Sequence, residues 1–494
     1  MSSNTATLNL LAVRENDAFH APIDYILGTF ARAAGFNLSI VDPQQLDPIT
    51  TQPDLLLVYA NRTRVAELYG SIRGVECPVM AVERGPFFGS TYLVSPDLPA
   101  DSATLIAAAD DAGFQHHIQR PRPGLAVVTL DLFAATFWFL TRYEEYISSS
   151  PDSHGRFLSA HSAAQPAMYD RPLGNHWCER LRGLALELTD RAKAPDQRQG
   201  NRATVALTHD VDLLAKYSGL RGVRRALSSL ARSGDATTEI RNASLVLAGL
   251  RRDPYDCFDD LFTLKERIGV PSTFFLMGGG DHSLDGDYAL DDPKIRRILT
   301  RARAGKDEIG VHPSYESYLS ADMIRTQTEA VAKATGKTIR GSRQHYLRFS
   351  TPETLRAVAE AGLEYDSSLS FADRAGFRCG WSGCFQPFDV EKNLVLPIVE
   401  IPLIAMDITL AVYEKLESRI ALERISNLME ASHVPGGAFV FLWHNTMRDR
   451  RAYPGYWDTL EFIFFAAAGS ARFATLQTLM NEYKQTAPTA HPQG

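Results

Sequence analysis

Two aspartates one residue apart, at the end of an apolar run, are the first place where this sequence could do chemistry. The stretch is Thr208-His209-Asp210-Val211-Asp212, and it follows Ala203 to Leu207. An apolar run of that length reads as a buried strand. Side chains at i and i+2 of a strand share a side, so Asp210 and Asp212 point the same way. Carboxylates at the end of a buried strand are costly to desolvate unless something binds them. With an imidazole nearby they make a donor set for a divalent cation. The plainer reading is a strand ending in a solvated turn, with one aspartate capping the next helix.

Four more polar clusters sit where a predicted strand ends. His312-Pro313-Ser314-Tyr315-Glu316-Ser317 closes Glu308 to Val311, and Arg343-Gln344-His345-Tyr346-Leu347-Arg348 closes Thr338 to Ser342. Asp366-Ser367-Ser368 follows Gly362 to Tyr365, and Trp443-His444-Asn445 closes Phe439 to Leu442. Singly, each histidine reads as a satisfied loop or core residue. Jointly, the clusters point to one metal-centred site, because parallel β/α folds gather their active sites at the C-terminal ends of strands.

The elements that must position these clusters alternate along the chain. Strands are expected at 203–208, 272–277, 308–312, 339–343, 398–402 and 438–443, with helices near 256–268, 292–304, 320–335, 352–361, 415–431 and 457–468. Repeated β–α units of this length predict a barrel or an open parallel sheet. Ahead of them, strands at 7–13, 38–41, 54–59, 79–82 and 126–129 and a helix over 21–34 predict a small α/β, Rossmann-like domain with a partly parallel sheet. It carries no glycine-rich phosphate loop. Two further helices are expected, over 130–146 and 175–191. The polar, aperiodic stretch 192–202 is the best linker, so domains are expected at 1–195 and 203–484. The Pro/Thr/Gln-rich tail after Lys484 reads as frayed.

Composition narrows the function classes. The formal charge of −7 comes without a basic block, which argues against nucleic acid as a partner. Five scattered cysteines suit a reducing compartment better than a disulfide framework. The start of the chain shows no basic leader, and no stretch is apolar for long enough to span a bilayer. A cytoplasmic protein is expected.

Residues from about 203 to 480 resemble the polysaccharide deacetylase family, the NodB-homology group of family 4-like carbohydrate esterases. The resemblance implies a distorted (β/α) barrel and five short motifs in fixed order. Thr208 to Asp212 resembles the first motif, which implies Asp210 as general base and Asp212 as metal ligand. His312 in Gly310-Val311-His312-Pro313-Ser314-Tyr315 resembles the first histidine of the second motif, also a ligand. Arg343 resembles the arginine that orients the base. Asp366 stands where the fourth motif's aspartate is expected, and would keep the last imidazole charged. His444 in Phe441-Leu442-Trp443-His444 resembles the general acid.

Two positions depart from the family pattern. The second motif's usual second histidine falls at Glu316, and the third motif's prolines are replaced by Gln344-His345. The expected metal set is therefore Asp212, His312 and His345, with Glu316 the less favoured substitute. His209 is a further possible ligand or supporting partner. The implied activity is removal of an N-acetyl group from an amino sugar in a polysaccharide, an oligosaccharide or its precursor. It would depend on a divalent metal, Zn²⁺ by preference, and release acetate. Alternatives are another metal-dependent amide hydrolase or deformylase on a small or lipid-linked sugar, or a non-catalytic glycan-binding barrel. Arg142-Tyr143-Glu144-Glu145-Tyr146, His154-Gly155-Arg156-Phe157, Asp253-Pro254-Tyr255 and the stretch Glu400 to Asp407 resemble a subgroup of that family carrying an N-terminal α/β domain of unknown role.

Overall fold

The computed structural model describes residues 7–15, 18–42, 53–71, 77–89, 91–148, 151–191, 203–217, 236–286 and 288–486. The expected linker at 192–202 and the end of the tail lie outside them.

The first sheet is built from β1 (Asn9–Arg14), β2 (Asn37–Val41), β3 (Leu55–Ala60), β4 (Val79–Glu83), β5 (Ile118–Arg122) and β6 (Leu125–Val128), in the order β2-β1-β3-β4-β6-β5. All pairs are parallel except β5 with β6. The edge strand β5 was not foreseen. It reads Ile118-Gln119-Arg120-Pro121-Arg122, nearly all exposed, and a proline is tolerated at a sheet edge. The expected helix over 130–146 is cut short. Its apolar part, Leu132–Leu140, is wholly buried, and Arg142 then turns left-handed at φ 54 before a short 3-10 turn, Tyr143–Tyr146.

The second sheet contains β7 (Ala203–Val211), β8 (Ser272–Leu276), β9 (Glu308–Val311), β10 (Gly341–Ser342), β11 (Tyr365–Asp366), β14 (Val399–Glu400), β15 (Ala405–Met406), β16 (Ala438–Leu442) and β17 (Ala471–Phe473). Between β11 and β14 a two-residue hairpin pairs β12 (Phe388–Asp389) with β13 (Leu394–Val395). The order β14-β11-β10-β9-β8-β7-β16-β15 is parallel throughout, with β17 beside the start of β7. Its edges, β14 and β15, are only residues 401–404 apart in sequence. Laid flat, eight strands would separate those edges by about 34 Å. Five residue steps reach at most about 18 Å. The sheet must therefore curl almost closed, as a distorted (β/α) barrel with one seam.

The strands expected at 339–343 and 398–402 shrink to two residues each. Inside the barrel the Tyr365 ring lies across Gly341, so closely that a Cβ there would fall 1.8 Å from Tyr365 Cζ. The Tyr365 hydroxyl donates to Glu308 Oε1 at 2.6 Å, and Thr273 donates to Glu308 Oε2 at 2.9 Å. These contacts plug the barrel below the strand ends. No helix among the described residues is long and apolar enough to cross a membrane.

Candidate metal centre

Every expected cluster sits at the C-terminal end of the barrel, one strand after another. In sheet order the ends carry Glu400, Asp366, Arg343 with His345, His312, then Asp210 with Asp212, His444 and finally Asp407. Pairing β7 in register with β8 and β16 fixes the alternation that turns Asp210 and Asp212 inward.

Asp212, His312 and His345 converge: one donor atom from each lies within 4.8 Å of the others. His312 Nε2 is 3.1 Å from His345 Nδ1 and 3.2 Å from Asp212 Oδ1, and His345 Nδ1 is 3.6 Å from the same oxygen. The far nitrogen of each ring faces a backbone carbonyl. His312 Nδ1 lies 2.5 Å from the Arg343 oxygen and His345 Nε2 3.0 Å from the Leu284 oxygen. A carbonyl only accepts, so those nitrogens carry the protons. In the neutral rings His312 Nε2 and His345 Nδ1 are then lone pairs aimed at each other and at a carboxylate. Asp212 Oδ1 is buried and takes no hydrogen bond. Converging lone pairs with their outer nitrogens fixed by acceptors fit a divalent cation.

Charge follows the same geometry. Burial alone would raise the Asp212 carboxyl, but His345, His312 and His444 bring it well below the usual carboxylate range. Burial lowers His312, yet Asp210 and Asp212 outweigh it and leave the ring raised. His345 stays lowered, chiefly by burial.

Asp210 flanks the trio, with Oδ2 3.7 Å from His312 Nε2 and Oδ1 3.9 Å from Arg343 Nη1. Arg343 is fully buried, donates to Ser367 Oγ at 2.9 Å and lies over the Phe275 ring. On the other flank stands His444, with Nε2 3.6 Å from Asp212 Oδ2. Its Nδ1 is 2.6 Å from Asp407 Oδ1, and its backbone N–H donates to Asp407 Oδ2 at 2.5 Å. The arrangement places a carboxylate on one side of a candidate cation site and a carboxylate-held imidazole on the other, groups that could take and give a proton beside a bound cation.

Three expectations change. Asp366 does not hold His444: it accepts from Ser342 Oγ at 2.6 Å and from the Ser368 N–H at 2.8 Å, on the Arg343 side. Asp407 holds His444 instead. Sequence reasoning did not give Asp407 that role, although the stretch it ends had been singled out. Glu316 is exposed and faces His282 and Arg348, away from the trio. His209 points to the opposite face of β7 from Asp210. Its Nδ1 is 2.9 Å from the Trp443 carbonyl, its ring packs on Phe274, and burial pushes it down to about 3. Strand alternation thus places it in the layer between sheet and helices.

Residues 76–189 match the model of a family of unknown function, DUF7033. Among curated proteins nothing matches. Solved structures do. A protein of Mycobacterium smegmatis assigned as a polysaccharide deacetylase aligns at 18% identity and TM-score 0.38, over 59% of this chain and 92% of its own. The peptidoglycan deacetylase PdaC of Bacillus subtilis aligns at 11% and 0.31, over 58% and 93%. BA3943 of Bacillus anthracis, a CE4 family pseudoenzyme, aligns at 11% and 0.30, over 57% and 66%. On these comparisons the chain is similar to polysaccharide and peptidoglycan deacetylases and to a pseudoenzyme of the CE4 family.

Proposed function

We propose that this chain is a metal-dependent deacetylase that hydrolyses the acetamide of an N-acetylated amino sugar to acetate and the free amine. The observation that carries this reading is the trio Asp212, His312 and His345, flanked by Asp210 and by the Asp407–His444 pair. Zn²⁺ held by the trio would polarise the acyl oxygen and acidify a water. Asp210 takes a proton from the water that adds to the acyl carbon. Arg343, whose Nη1 lies 3.9 Å from Asp210 Oδ1, orients that carboxylate. A backbone N–H near Tyr346 and the cation that the trio would hold would stabilise the oxygen that becomes anionic. His444 gives its proton to the nitrogen as the C–N bond breaks, and Asp407 keeps that imidazole oriented and charged. Asp366 and Glu400 lie behind Arg343; both are raised, chiefly by burial.

Metal analysis and acetate release on a panel of N-acetylated sugars test the reading together. The purified protein should carry stoichiometric zinc and release acetate. His345→Ala should lose the metal and Glu316→Ala should keep it. Asp210→Asn and His444→Ala should keep the metal and each lose about 10²–10⁴ in rate. Full metal content in His345→Ala overturns the ligand set, and full activity in either of the last two overturns the acid–base roles. Formate release in place of acetate favours a deformylase.

A further inference from the structure

The N-terminal half sends one loop, residues 151–157, across to the mouth of the barrel. Asp152 accepts from the His154 and Arg156 N–H groups at 2.8 and 2.9 Å, and Gly155 turns the chain at φ 77. Asp152 also grips the Arg156 guanidinium at 2.7 and 3.0 Å. Arg156 is 4% exposed. Its remaining donors leave the loop: Nη1 donates to the Tyr346 carbonyl at 3.0 Å and Nη2 to the Tyr413 hydroxyl at 2.9 Å. His154 Nδ1 is 2.8 Å from the Tyr315 hydroxyl, and its carbonyl accepts from Arg348 Nε at 2.9 Å.

Tyr346 adjoins the metal trio, and Tyr315, buried under His282 and Arg348, packs beside it. The Tyr346 ring stands edge-on to His345 at 4.7 Å and to Tyr315 at 5.5 Å. Arg156 ties Tyr413 to this group, donating to both the Tyr346 carbonyl and the Tyr413 hydroxyl, with its guanidinium 5.5 Å from the Tyr413 ring. Tyr346 and Leu347 both hold positive φ, 60° and 50°, a conformation that non-glycine residues keep only where their surroundings enforce it. Tyr413 and Val412 remain 38% and 45% exposed.

A site that is aromatic on one side and charged on the other matches a pyranose, whose C–H face packs on rings while its hydroxyls seek polar groups. We propose that Tyr346 and Tyr413 form a rim that binds the sugar bearing the acetamide, and that Arg156 of the N-terminal half is the positioning residue that holds it, with His154 bracing the buried Tyr315 against which Tyr346 packs. The proposal rests on the deacetylase reading for its choice of sugar, but binding tests it separately.

Zinc-loaded full-length protein is titrated with a trimer of N-acetylglucosamine, and the same trimer is assayed for acetate release. Tyr413→Ala should stay folded, keep its zinc and weaken binding by about tenfold, equivalent to the ~1.4 kcal/mol of one aromatic contact. Arg156→Ala should weaken binding at least as much, with KM rising more than kcat falls, and Arg156→Lys should recover part of the loss. Wild-type affinity in folded Tyr413→Ala overturns the rim, as does a wild-type protein that does not bind the trimer. Binding without acetate release supports the rim and sinks the deacetylase reading. Acetate release with an unchanged KM in both variants sinks the rim and leaves that reading standing.

Discussion

Asp407 decides whether His444 holds a proton at the pH where the reaction would run. Burial pulls the imidazolium down, but Asp407, then Asp212 and Asp210, more than reverse it and carry the ring up to about 9. A general acid works only while protonated, so activity should fall as pH rises through that value. Asp407→Asn removes the largest favourable charge, and the alkaline limb should move down by about 1–3 pH units. A pH profile of kcat reads this directly, and an unmoved alkaline limb would remove Asp407 from its role. At this scale the sequence was partly legible. Asp210, Asp212, His312 and His444 all follow strands long enough to show as apolar runs, and His345 stands beside Arg343 in a cluster of polar residues. Asp407 follows a strand of two residues, too short to display a period. Asp366 misled for a different reason: the neighbour it would meet depended on the order of strands around the barrel.

The long strands β7, β8, β9 and β16 were legible from their apolar character, and so were the amphipathic helices between them. The cap signals were there too: Asp292 caps Pro293–Ala304 and Ser320 caps Ala321–Thr335. The short strands β11, β15 and β17 were not legible, because their residues are strands only by pairing. One such strand, β10, owes its course to a missing side chain. The Tyr365 ring occupies the space a Cβ at Gly341 would need, with its hydroxyl tied to Glu308. Gly341→Ala must therefore push a buried ring off its hydrogen bond or displace the strand that leads into Arg343 and His345. Chemical denaturation should show a loss of about 1–3 kcal/mol, together with reduced zinc content. A variant of wild-type stability would mean the ring relaxes at no cost.

The whole molecule is joined through buried charge. Arg142 donates to Glu145 at 2.8 Å and to the Arg378 carbonyl at 2.5 Å, and Arg378 returns three hydrogen bonds to Glu145 at 2.7, 2.8 and 3.2 Å. All three side chains are at most 4% exposed. Arg378→Ala leaves Glu145 short of a cation in a dry interface, and should cost about 3–5 kcal/mol in urea unfolding; a loss under about 1 kcal/mol would show that water or Arg142 makes up the difference. Residues 142 and 378 are 236 positions apart, and no periodicity connects them. This explains why the sequence showed two sheets, drawn from residues 9–128 and 203–473, yet not how they hold each other. The apolar core runs through both halves without a break.

The barrel's seam gives that union a further meaning. Its free edges are covered by one segment: Phe385 bridges Glu400 of β14, and the Gly376 N–H donates to Ile404 just before β15. The N-terminal half holds that same segment, through Tyr169 to Phe377, Gly174 to Gly380 and Asn175 to Ser382. The first half of the chain is therefore expected to help keep that segment over the edges, since an uncovered strand edge recruits other strands. Residues 203–486 produced alone should form soluble oligomers or precipitate, and co-expression with residues 1–195 should suppress this. Size-exclusion chromatography reads the outcome, and a monodisperse isolated barrel would show that the seam guards itself.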